Sequence, residues 1–583
     1  MRTASILSAV ALLAFVCSAR PAAGEPGKVA CPVPKPQATP RELRATFSAD
    51  AGVRFEDQCK ELEALSDRAR DEECADALRW LVHQPEFKEE LRERAFQVLC
   101  DWGYPWLFDD VVGMVEDAAQ PQSWRARSVK LIGKLSASFP AWDQKTYEGL
   151  VKYSAPDAAP FLRDAALVAL AQLARDYHWR LNAPERYDLV SKRVNYGLGE
   201  ARAEGSVAAL RAAALIEAVA LAAEVEKLAA DAAQAEQVRR AALGALKDVA
   251  RPESLAVLDA LAGTASLAPL LTEVRPYVLV AQLDSPSLVV RDKAFKELAG
   301  IGAPAGAALE RAALGEEGRR QRLARTLLGD MLAAHAGLKP VDRQGLKRFG
   351  ENPAKKKEGL PTLLWDMDRK LILAEADFPL EAGALEYVAV CRGENAKLHE
   401  TVVALHCSPT NICLALLGCG YAFVGELRQG EKIVLPKDAG VMLSVEWERE
   451  REAPEGINRT PLRLPVEAFA WNTDTGAPMR RAPWAFTGSR WVQGDDGRQF
   501  LRAEIEKSLA AIMPDPDAIL NTMLDSASDA NVGANRQGFY VVNRFIIPKK
   551  GTACWLVFEP WAGGELKPQD VHDKTASKAA LGQ

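Results

Sequence analysis

The side chains best suited to chemistry in this chain lie close together in one stretch, 384–421. Within ten residues this stretch holds Lys397, His399, Glu400 and His406, although the 583-residue chain has only six histidines. Imidazole and carboxylate groups are common general acids and bases, and both can bind zinc. We therefore take His399, Glu400 and His406 as candidate metal ligands, and Lys397, His399 and Glu400 as a candidate polar motif.

Three interpretations of this segment stay open. As a metal site it lacks the second histidine of the H-E-x-x-H zinc signature. If 401–407 is one strand, side-chain alternation also puts His406 on the face opposite His399. As a structural element, Lys397, His399 and Glu400 would fix a loop through hydrogen bonds and an ion pair. As a binding surface, the same groups would contact a ligand or partner. We assign no catalytic residue.

Cysteines are the second group of candidate residues. Cys391, Cys407, Cys413 and Cys419 are separated by 16, 6 and 6 positions, whereas iron–sulfur clusters use short spacings such as C-x2-C-x2-C. The sequence contains no C-x-x-C pair, no G-x-S-x-G elbow, no P-loop and no G-x-G-x-x-G fingerprint. We therefore predict no cofactor, and a thiol redox protein stays as an alternative.

The N-terminus is typical of an export signal. Arg2 precedes an apolar run at 6–16, and small residues follow as far as Gly24, so we predict a signal peptide at 1–24. The run is shorter than the roughly twenty residues that cross a membrane as a helix, and we expect no transmembrane segment in the mature chain. The expected location is periplasmic or extracellular. A net charge of −6 and a pI near 5.8 argue against a nucleic-acid partner.

Composition divides the rest of the chain into segments. A proline-rich tether spans 25–58. Residues 59–336 are rich in alanine and leucine, and short sequence motifs typical of helices recur along them. Such repetition is typical of an α-solenoid, in which each helix pair buries its apolar stripe against its neighbours. A basic linker at 337–360, a domain of mixed pattern at 361–562 and a polar tail at 563–583 follow.

One pattern, V/L-R-x-x-A-x-x-x-L, recurs at the start of the helices within 59–336, and 283–314 is its clearest occurrence. The pattern resembles the second helix of HEAT and HEAT-like repeats. The resemblance implies a long curved surface for protein contacts. It also implies that the recurring arginine is structural and pairs with an acidic side chain of a neighbouring repeat; an arginine ladder that reads a ligand is the alternative. The arginines concerned are Arg127, Arg163, Arg211, Arg239 and Arg291.

The C-terminal segment mixes strand and helix signals. Short apolar runs such as 385–390 and 401–407 predict strands. Ser408-Pro409 predicts the start of a short helix that ends near Gly418. We therefore predict a multidomain chain, in which the α-solenoid is followed by an α+β domain with a mixed or antiparallel sheet.

Two motifs of this segment are distinctive: Lys-Leu-His-Glu at 397–400, after an L-E-Y strand, and Ala-Phe-Thr-Gly-Ser at 485–489. With the order of the motifs between 365 and 560, they make the domain similar to the YdjY family, which exported bacterial proteins of planctomycete type carry. The resemblance implies a compact exported domain and no particular reaction.

These patterns favour an exported, non-catalytic scaffold or binding protein. Its solenoid surface would contact protein partners, and its YdjY-like domain would act as a second module. One alternative is a metal-binding or enzymatic C-terminal domain centred on the Lys-x-His-Glu segment. The other is the thiol redox protein.

Overall fold

The computed structural model describes residues 62, 72–84, 87–102, 106–138, 143–200, 202–349, 363–427, 435, 439–454, 456–473, 475–494, 497–522, 540–561 and 563. The predicted signal peptide at 1–24, the tether at 25–58 and all but the first residue of the tail at 563–583 lie outside these residues. The described residues belong to two compact units. The first unit lies within 1–128 and 134–143, and the second within 129–133 and 144–583.

The first unit is helical. Its elements are α1, α2, α3 and most of α4, at Glu72–His83, Glu89–Trp102, Leu107–Glu116 and Gln122–Ser138. The helices enclose an apolar core in which Phe96 and Trp124 are fully buried. Burying a side chain of this size stabilises the folded state by about 2–3 kcal/mol relative to leaving it exposed.

The second unit begins with a longer run of helices. They are α5 Asp143–Tyr153, α6 Pro160–Asp176, α7 Trp179–Asn182, α8 Pro184–Leu198, α9 Ala203–Leu215, α10 Ala222–Ala230, α11 Glu236–Val249, α12 Ser254–Leu261, α13 Ala268–Gln282, α14 Leu288–Ile301, α15 Gly306–Leu314 and α16 Arg319–Ala336, with 3-10 turns at Val219–Leu221, Ala265–Leu267 and Ala303–Ala305. Helices α6, α9, α11 and α13 stack in that order, and α8, α10 and α12 each pack on the helix that follows them. The helical architecture predicted for this segment is confirmed.

Arginines near the start of several helices bind the carbonyl groups at the end of the preceding helix or loop. In the second unit, Arg163 donates to Pro156 O at 2.7 Å and Arg291 to Ser285 O at 2.8 Å. Arg239 Nε donates to Ala229 O, at the end of α10, at 3.2 Å. The last carbonyls of a helix lack intrahelical partners, and a cation there also matches the helix dipole. These three arginines are therefore structural, but their shared partners are backbone carbonyls. Arg163 also pairs with an acidic side chain, Glu200, as the resemblance implied.

In the first unit, arginines also bind carbonyl groups at the end of the preceding helix, but the carbonyl-binding residue on α4 is not the predicted Arg127. Arg92 Nε donates to Val82 O, and Arg125 Nε to Val115 O, both at 2.8 Å. Arg127, two positions after the carbonyl-binding Arg125, meets the expectation of an acidic partner on a neighbouring helix. Arg127 does have acidic neighbours, with Glu89 at 3.6 Å and Glu93 at 3.7 Å.

The C-terminal part of the second unit is rich in strands. They are β1 Lys347–Arg348, β2 Leu363–Asp366, β3 Leu371–Asp377, β4 Ala384–Leu385, β5 Tyr387–Cys391, β6 Thr401–Leu405, β7 Val441–Ala453, β8 Gly456–Pro465, β9 Ala470–Asn472, β10 Ala477–Pro478, β11 Trp484–Phe486, β12 Trp491–Gln493, β13 Gln499–Leu501, β14 Ser508–Ala511, β15 Leu520–Thr522, β16 Tyr540–Val542 and β17 Ala553–Pro560. Two helices, α17 Pro409–Gly418 and α18 Ala503–Glu506, and a 3-10 turn at Val466–Phe469 interrupt them. Ser408 caps α17, as predicted, by accepting a hydrogen bond from Asn411 N.

The main sheet closes on itself. Its strands run β3, β17, β7, β11, β15, β14, β5 and β6, and β6 returns to β3 through Ala376 opposite Leu405 and Asp377 opposite Ala404. The pairs β5–β6 and β14–β15 are parallel and the other pairs of this ring are antiparallel. The sheet is therefore mixed, as predicted, but it forms a barrel. Closure is possible because β3 pairs with β2 along most of its length and leaves its last two residues for β6.

Residues 341–349, within the interval predicted to be a linker, pack on this barrel. Lys347 and Arg348 form β1, which pairs with β2. Buried Glu446, on β7, accepts hydrogen bonds from Val341 N at 2.6 Å and from Arg343 Nη2 at 2.7 Å. This part of the interval is thus fixed to the sheet by a buried carboxylate.

The long hairpin β7–β8 rests on the last helices of the solenoid. Arg449 forms an ion pair with Asp330 of α16, and Arg451 lies 3.4 Å from Asp292 of α14. A methyl group placed on Gly329 would lie 2.9 Å from Leu462, so glycine allows α16 to approach β8 closely. Among the described residues, no helix is both long enough and apolar enough to span a membrane.

Candidate functional site

Lys397 lies in a hydrogen-bonded cluster at one end of the barrel. Its ammonium donates to Tyr387 Oη at 2.7 Å, and that hydroxyl donates to Asp515 Oδ2 at 2.9 Å. Tyr387 begins β5, and the loop carrying Lys397 leads into the parallel neighbour β6, so the topology brings the two together. Burial raises the pKa of Tyr387 to about 12. Burial acts to lower the pKa of Lys397, but the hydrogen bond to Tyr387 and the nearby charges of Glu400 and Asp515 together outweigh it, and the pKa is raised.

The charges in this cluster are suited to holding a loop. A protonated lysine and a neutral tyrosine are both donors, and neither is a general base near pH 7. Glu400 is 3.9 Å from Lys397 and 3.8 Å from His399. The polar motif predicted at Lys397, His399 and Glu400 is thus brought together, with Tyr387 and Asp515 as partners that the sequence had not indicated.

The two candidate histidines are not brought together. His399 precedes β6 and is 81% exposed, whereas His406 follows β6 and lies 3.8 Å from Asp377. A five-residue strand spans roughly 16 Å, too far for both imidazoles to bind one metal ion. Asp377 is already bound by Arg392, at 2.7 Å. Within the part of the chain that the structure describes, no three His, Cys, Asp or Glu side chains are grouped as metal ligands would be.

The polar cluster gives a test of its role. Lys397→Met is expected to lower the free energy of unfolding by about 1–3 kcal/mol, because it removes a donor from the half-buried Tyr387–Asp515 pair. His399→Ala is expected to change it by less than about 0.5 kcal/mol, because the imidazole is exposed. Urea denaturation followed by tryptophan fluorescence measures both. Equal losses in the two variants would contradict this assignment and give His399 a structural role.

Of the four cysteines of this segment, three are buried and Cys413 is half-buried. Cys391 and Cys407 are buried at the ends of β5 and β6, and burial, together with a hydrogen bond to the Cys407 thiol, raises the pKa of Cys391. Burial also raises the pKa values of Cys413 and Cys419 to about 11. Because the thiolate is the reactive form, Cys391, Cys413 and Cys419 are poor nucleophiles at neutral pH.

The motif at 485–489 is a structural junction. Thr487 accepts a hydrogen bond from buried Asn521 Nδ2 at 2.8 Å, and Ser489 Oγ accepts one from Ala503 N at 2.8 Å, which anchors α18. Gly488 has a φ of 62°, and a side chain there would meet Phe423 at 2.7 Å. The distinctive residues of this motif are thus explained by packing and hydrogen bonding.

A buried carboxyl group that sequence reasoning missed lies in the 3-10 turn. Glu467 is fully buried; its Oε1 accepts a hydrogen bond from Trp484 Nε1 at 2.8 Å, and its Oε2 has no hydrogen-bond partner. Burial raises its pKa to about 7. The apolar neighbours of Glu467 in sequence were the available signal. Because the group is sealed from solvent, we treat it as a stability element.

A groove lies on the stack of α9 and α11 in the solenoid. Its volume is about 500 Å³, and its lining is Val207, Leu210, Arg211, Ala214, Gln237, Arg240, Ala241, Gly244 and Ala245. A Cβ at Gly244 would meet nothing within 4 Å. Arg211 is exposed beside this groove, so the structural role expected for it, unlike that of Arg163, Arg239 and Arg291, is not observed.

A basic cleft lies where the β7–β8 hairpin and the 544–549 loop meet α14 and α16. It comprises two cavities of about 300 and 520 Å³ that share Arg322, Thr326 and Glu450. The basic residues of its lining are Arg291, Arg319, Arg322, Arg325, Arg449, Arg451, Arg544 and Lys549, and the acidic ones are Asp292, Glu317, Glu381, Glu448 and Glu450. The lining therefore carries an excess of three positive charges.

Comparisons with known proteins give little for this chain. No protein-family model and no curated protein matches it. Among solved structures, it is similar to Kap95p with RanGDP at 13% identity, covering 50% of this chain and 40% of that one, with a TM-score of 0.28. It is similar to Kap121p bound to Nup53p at 12% identity, covering 51% of this chain and 35% of that one, with a TM-score of 0.29. It is similar to human deoxyhypusine hydroxylase with glycerol at 18% identity, covering 44% of this chain and 95% of that one, with a TM-score of 0.20.

These structural similarities are weak. The chain spans less than half the length of the Kap95p and Kap121p chains that it matches. TM-scores of 0.20 to 0.29 carry no argument about function. The helical-repeat architecture therefore rests on the packing of this chain's own helices.

Proposed function

We propose that the chain is an exported, non-catalytic scaffold or binding protein. Its HEAT-like solenoid provides a surface for protein contacts, and its C-terminal barrel, of YdjY type by its motifs, is the second module. The observation that carries the proposal is the groove between α9 and α11. The engagement of Lys397 by Tyr387 and the separation of His399 from His406 favour binding over catalysis in the barrel.

The groove is suited to an apolar side chain with an acidic neighbour. Ala241, Gly244 and Ala245 leave its floor open, because their side chains are small. Arg211 is exposed at its side, whereas Arg240 is already bound to Ser266 O at 2.9 Å. Docking an apolar row into a groove of this kind is a common mode of peptide recognition. We infer a protein partner that places an apolar side chain over Gly244 and a carboxylate near Arg211.

Filling the groove tests this function. Gly244→Leu is expected to reduce capture of the partner by the full-length protein at least tenfold, because the new side chain would occupy the groove, and its Cβ would meet no atom within 4 Å. Gly149→Leu, on α5, is the matched control, since a Cβ there also meets nothing within 4 Å. Both changes raise helix propensity, by about 1 kcal/mol, and both variants should fold. Capture from the native periplasmic or secreted fraction, quantified by mass spectrometry, is the measurement.

The result separates the alternatives. A captured protein that survives Gly244→Leu, or no specific capture at all, contradicts the proposed groove. The export part of the proposal is tested separately, by fusing residues 1–30 to a reporter that folds only after export. A reporter that stays in the cytoplasm would overturn the location.

A further inference from the structure

We propose that the basic cleft defined above binds the oxoanion group, phosphate or carboxylate, of a small molecule. This inference goes beyond the solenoid groove, since it uses different residues and does not depend on a protein partner. The larger cavity, of about 520 Å³, falls within the range of roughly 300–1,000 Å³ typical of small-ligand sites.

Most of the charge around the cleft is matched by the protein itself. Arg449 pairs with Asp330, Arg451 lies 3.4 Å from Asp292, and Lys549 donates to Glu317 at 2.7 Å. Of the remaining acids, Glu450 pairs with Arg459 at 2.7 Å, and Glu381 accepts a hydrogen bond from Lys550 N at 3.0 Å. The fifth acid, Glu448, is exposed on β7. A distinct group of arginines is left without an ion pair to any of these five carboxylates.

That group is Arg322, Arg325 and Arg544. Within the described residues, the guanidinium groups of Arg322 and Arg544 make no ion pair or hydrogen bond, and Arg325 uses only its Nε, which donates to Ala313 O at 3.2 Å. Arg322 and Arg325 are three residues apart on α16, so both can face the same side of the helix. Arg544 approaches from the loop of the barrel. The cleft thus contains cations from α16 and from the 544–549 loop whose N–H donors are not all used by the described residues.

Bringing these cations together has an electrostatic cost that a bound anion would remove. Burial and the positive charge of Arg544 lower the pKa of Arg325, although Glu381 and Glu317 oppose the effect. Guanidinium groups bind phosphate and carboxylate through paired, charge-assisted hydrogen bonds, which are stronger than neutral ones. The geometry therefore favours an oxoanion shared by Arg322, Arg325 and Arg544.

Thermal unfolding of the full-length protein with inorganic phosphate, acetate and chloride, at matched ionic strength, tests the site. Phosphate or acetate is expected to raise Tm in a saturable way, because a ligand of the folded state stabilises it, and chloride is not. The anion that acts at the lower concentration identifies the ligand chemistry. The double variant Arg325→Gln/Arg544→Gln should weaken the apparent affinity at least tenfold. Arg180→Gln, at an exposed position of α7 outside both the cleft and the groove, should leave it unchanged.

The single variant Arg544→Gln keeps the test decisive if the double variant fails to fold. Arg544 is exposed, so its replacement should preserve the fold, weaken anion binding and raise Tm in anion-free buffer by relieving repulsion. Equal effects of all three anions, or an unchanged response in Arg544→Gln, would overturn the proposal. Neither outcome bears on the α9–α11 groove, so the two sites succeed or fail separately.

Discussion

Glutamine in place of Glu467 is expected to stabilise the protein at pH 8 by about 3 kcal/mol. Glu467 is fully buried and only one of its carboxyl oxygens is hydrogen-bonded. At pH 8 the native state must hold a buried negative charge, which burial disfavours. Glutamine has the same shape and keeps an oxygen that can accept the hydrogen bond from Trp484, but it carries no charge.

The pH dependence follows from the direction of the shift. Burial raises the pKa of Glu467 from 4.5 to about 7, so between these values the native state holds a proton that the unfolded chain has lost. Stability from this group is fully present below pH 4.5 and falls as the pH rises toward 7. A shift of this size corresponds to about 3 kcal/mol, at roughly 1.4 kcal/mol per pH unit. The Gln variant should lack this fall.

Urea denaturation of both proteins at pH 5 and pH 8 measures the difference. The gain from Glu467→Gln should be about 3 kcal/mol at pH 8 and less than about 1 kcal/mol at pH 5. Glu394→Gln, at an exposed position of the same barrel, controls for the loss of a carboxylate and should alter neither value. Parallel pH profiles for the parent and the Glu467 variant would show that the carboxyl group is solvated or paired.

Local features of the barrel could be predicted from sequence, but its closure could not. The apolar runs at 385–390 and 401–407 correspond to β5 and β6, and the Ser408 cap is present. Closure depends on Asp377 pairing with Ala404, two residues 27 positions apart. No local pattern encodes such a pairing, because backbone groups form it and both residues are compatible with other partners.

For the candidate sites, too, local features could be predicted from the sequence and long-range contacts could not. Alternation along the strand at 401–407 argued against one site for His399 and His406, and the structure places them at opposite ends of β6. Tyr387 and Asp515, which complete the Lys397 cluster, are 128 residues apart and come from separate elements. The arginines that gather in the basic cleft are brought together only when the hairpin meets α16. These long-range contacts cannot be predicted from the spacing of residues in the sequence.

The arginines of the first unit show that two different sets of positions can share one spacing. Arg92 and Arg125 are 33 residues apart, the same distance as Arg94 and Arg127. Arg92 and Arg94 are two residues apart on α2, as are Arg125 and Arg127 on α4. Two residues turn an α-helix by about 200°, so the two arginines of each helix lie on opposite sides of it. Ala95 and Phe96, both buried, lie three and four positions after Arg92. That pattern marks Arg92 as the residue on the core face.

Arg92→Ala is therefore expected to be among the most damaging substitutions in the first unit. Arg92 is 1% exposed; it donates to Val82 O at 2.8 Å and Gln120 Oε1 at 2.9 Å, and its guanidinium lies 3.8 Å from the Trp124 ring. Alanine would remove the cation–π contact and leave a cavity and unpaired acceptors. We expect a loss of about 3–5 kcal/mol in the free energy of unfolding of this unit.

Arg94→Ala is the matched control, because the same residue type on the same helix is exposed. It should cost less than about 1 kcal/mol. Arg92→Lys should recover only part of the loss, since lysine lacks the planar fork that stacks on Trp124 while donating to two acceptors. Hydrogen exchange of the α2 amides in the full-length protein reports on this unit directly. If Arg94→Ala proved the more damaging change, Arg92 would not be the residue that caps the C-terminal end of α1, and the arginines would have to be reassigned as a ladder facing a ligand.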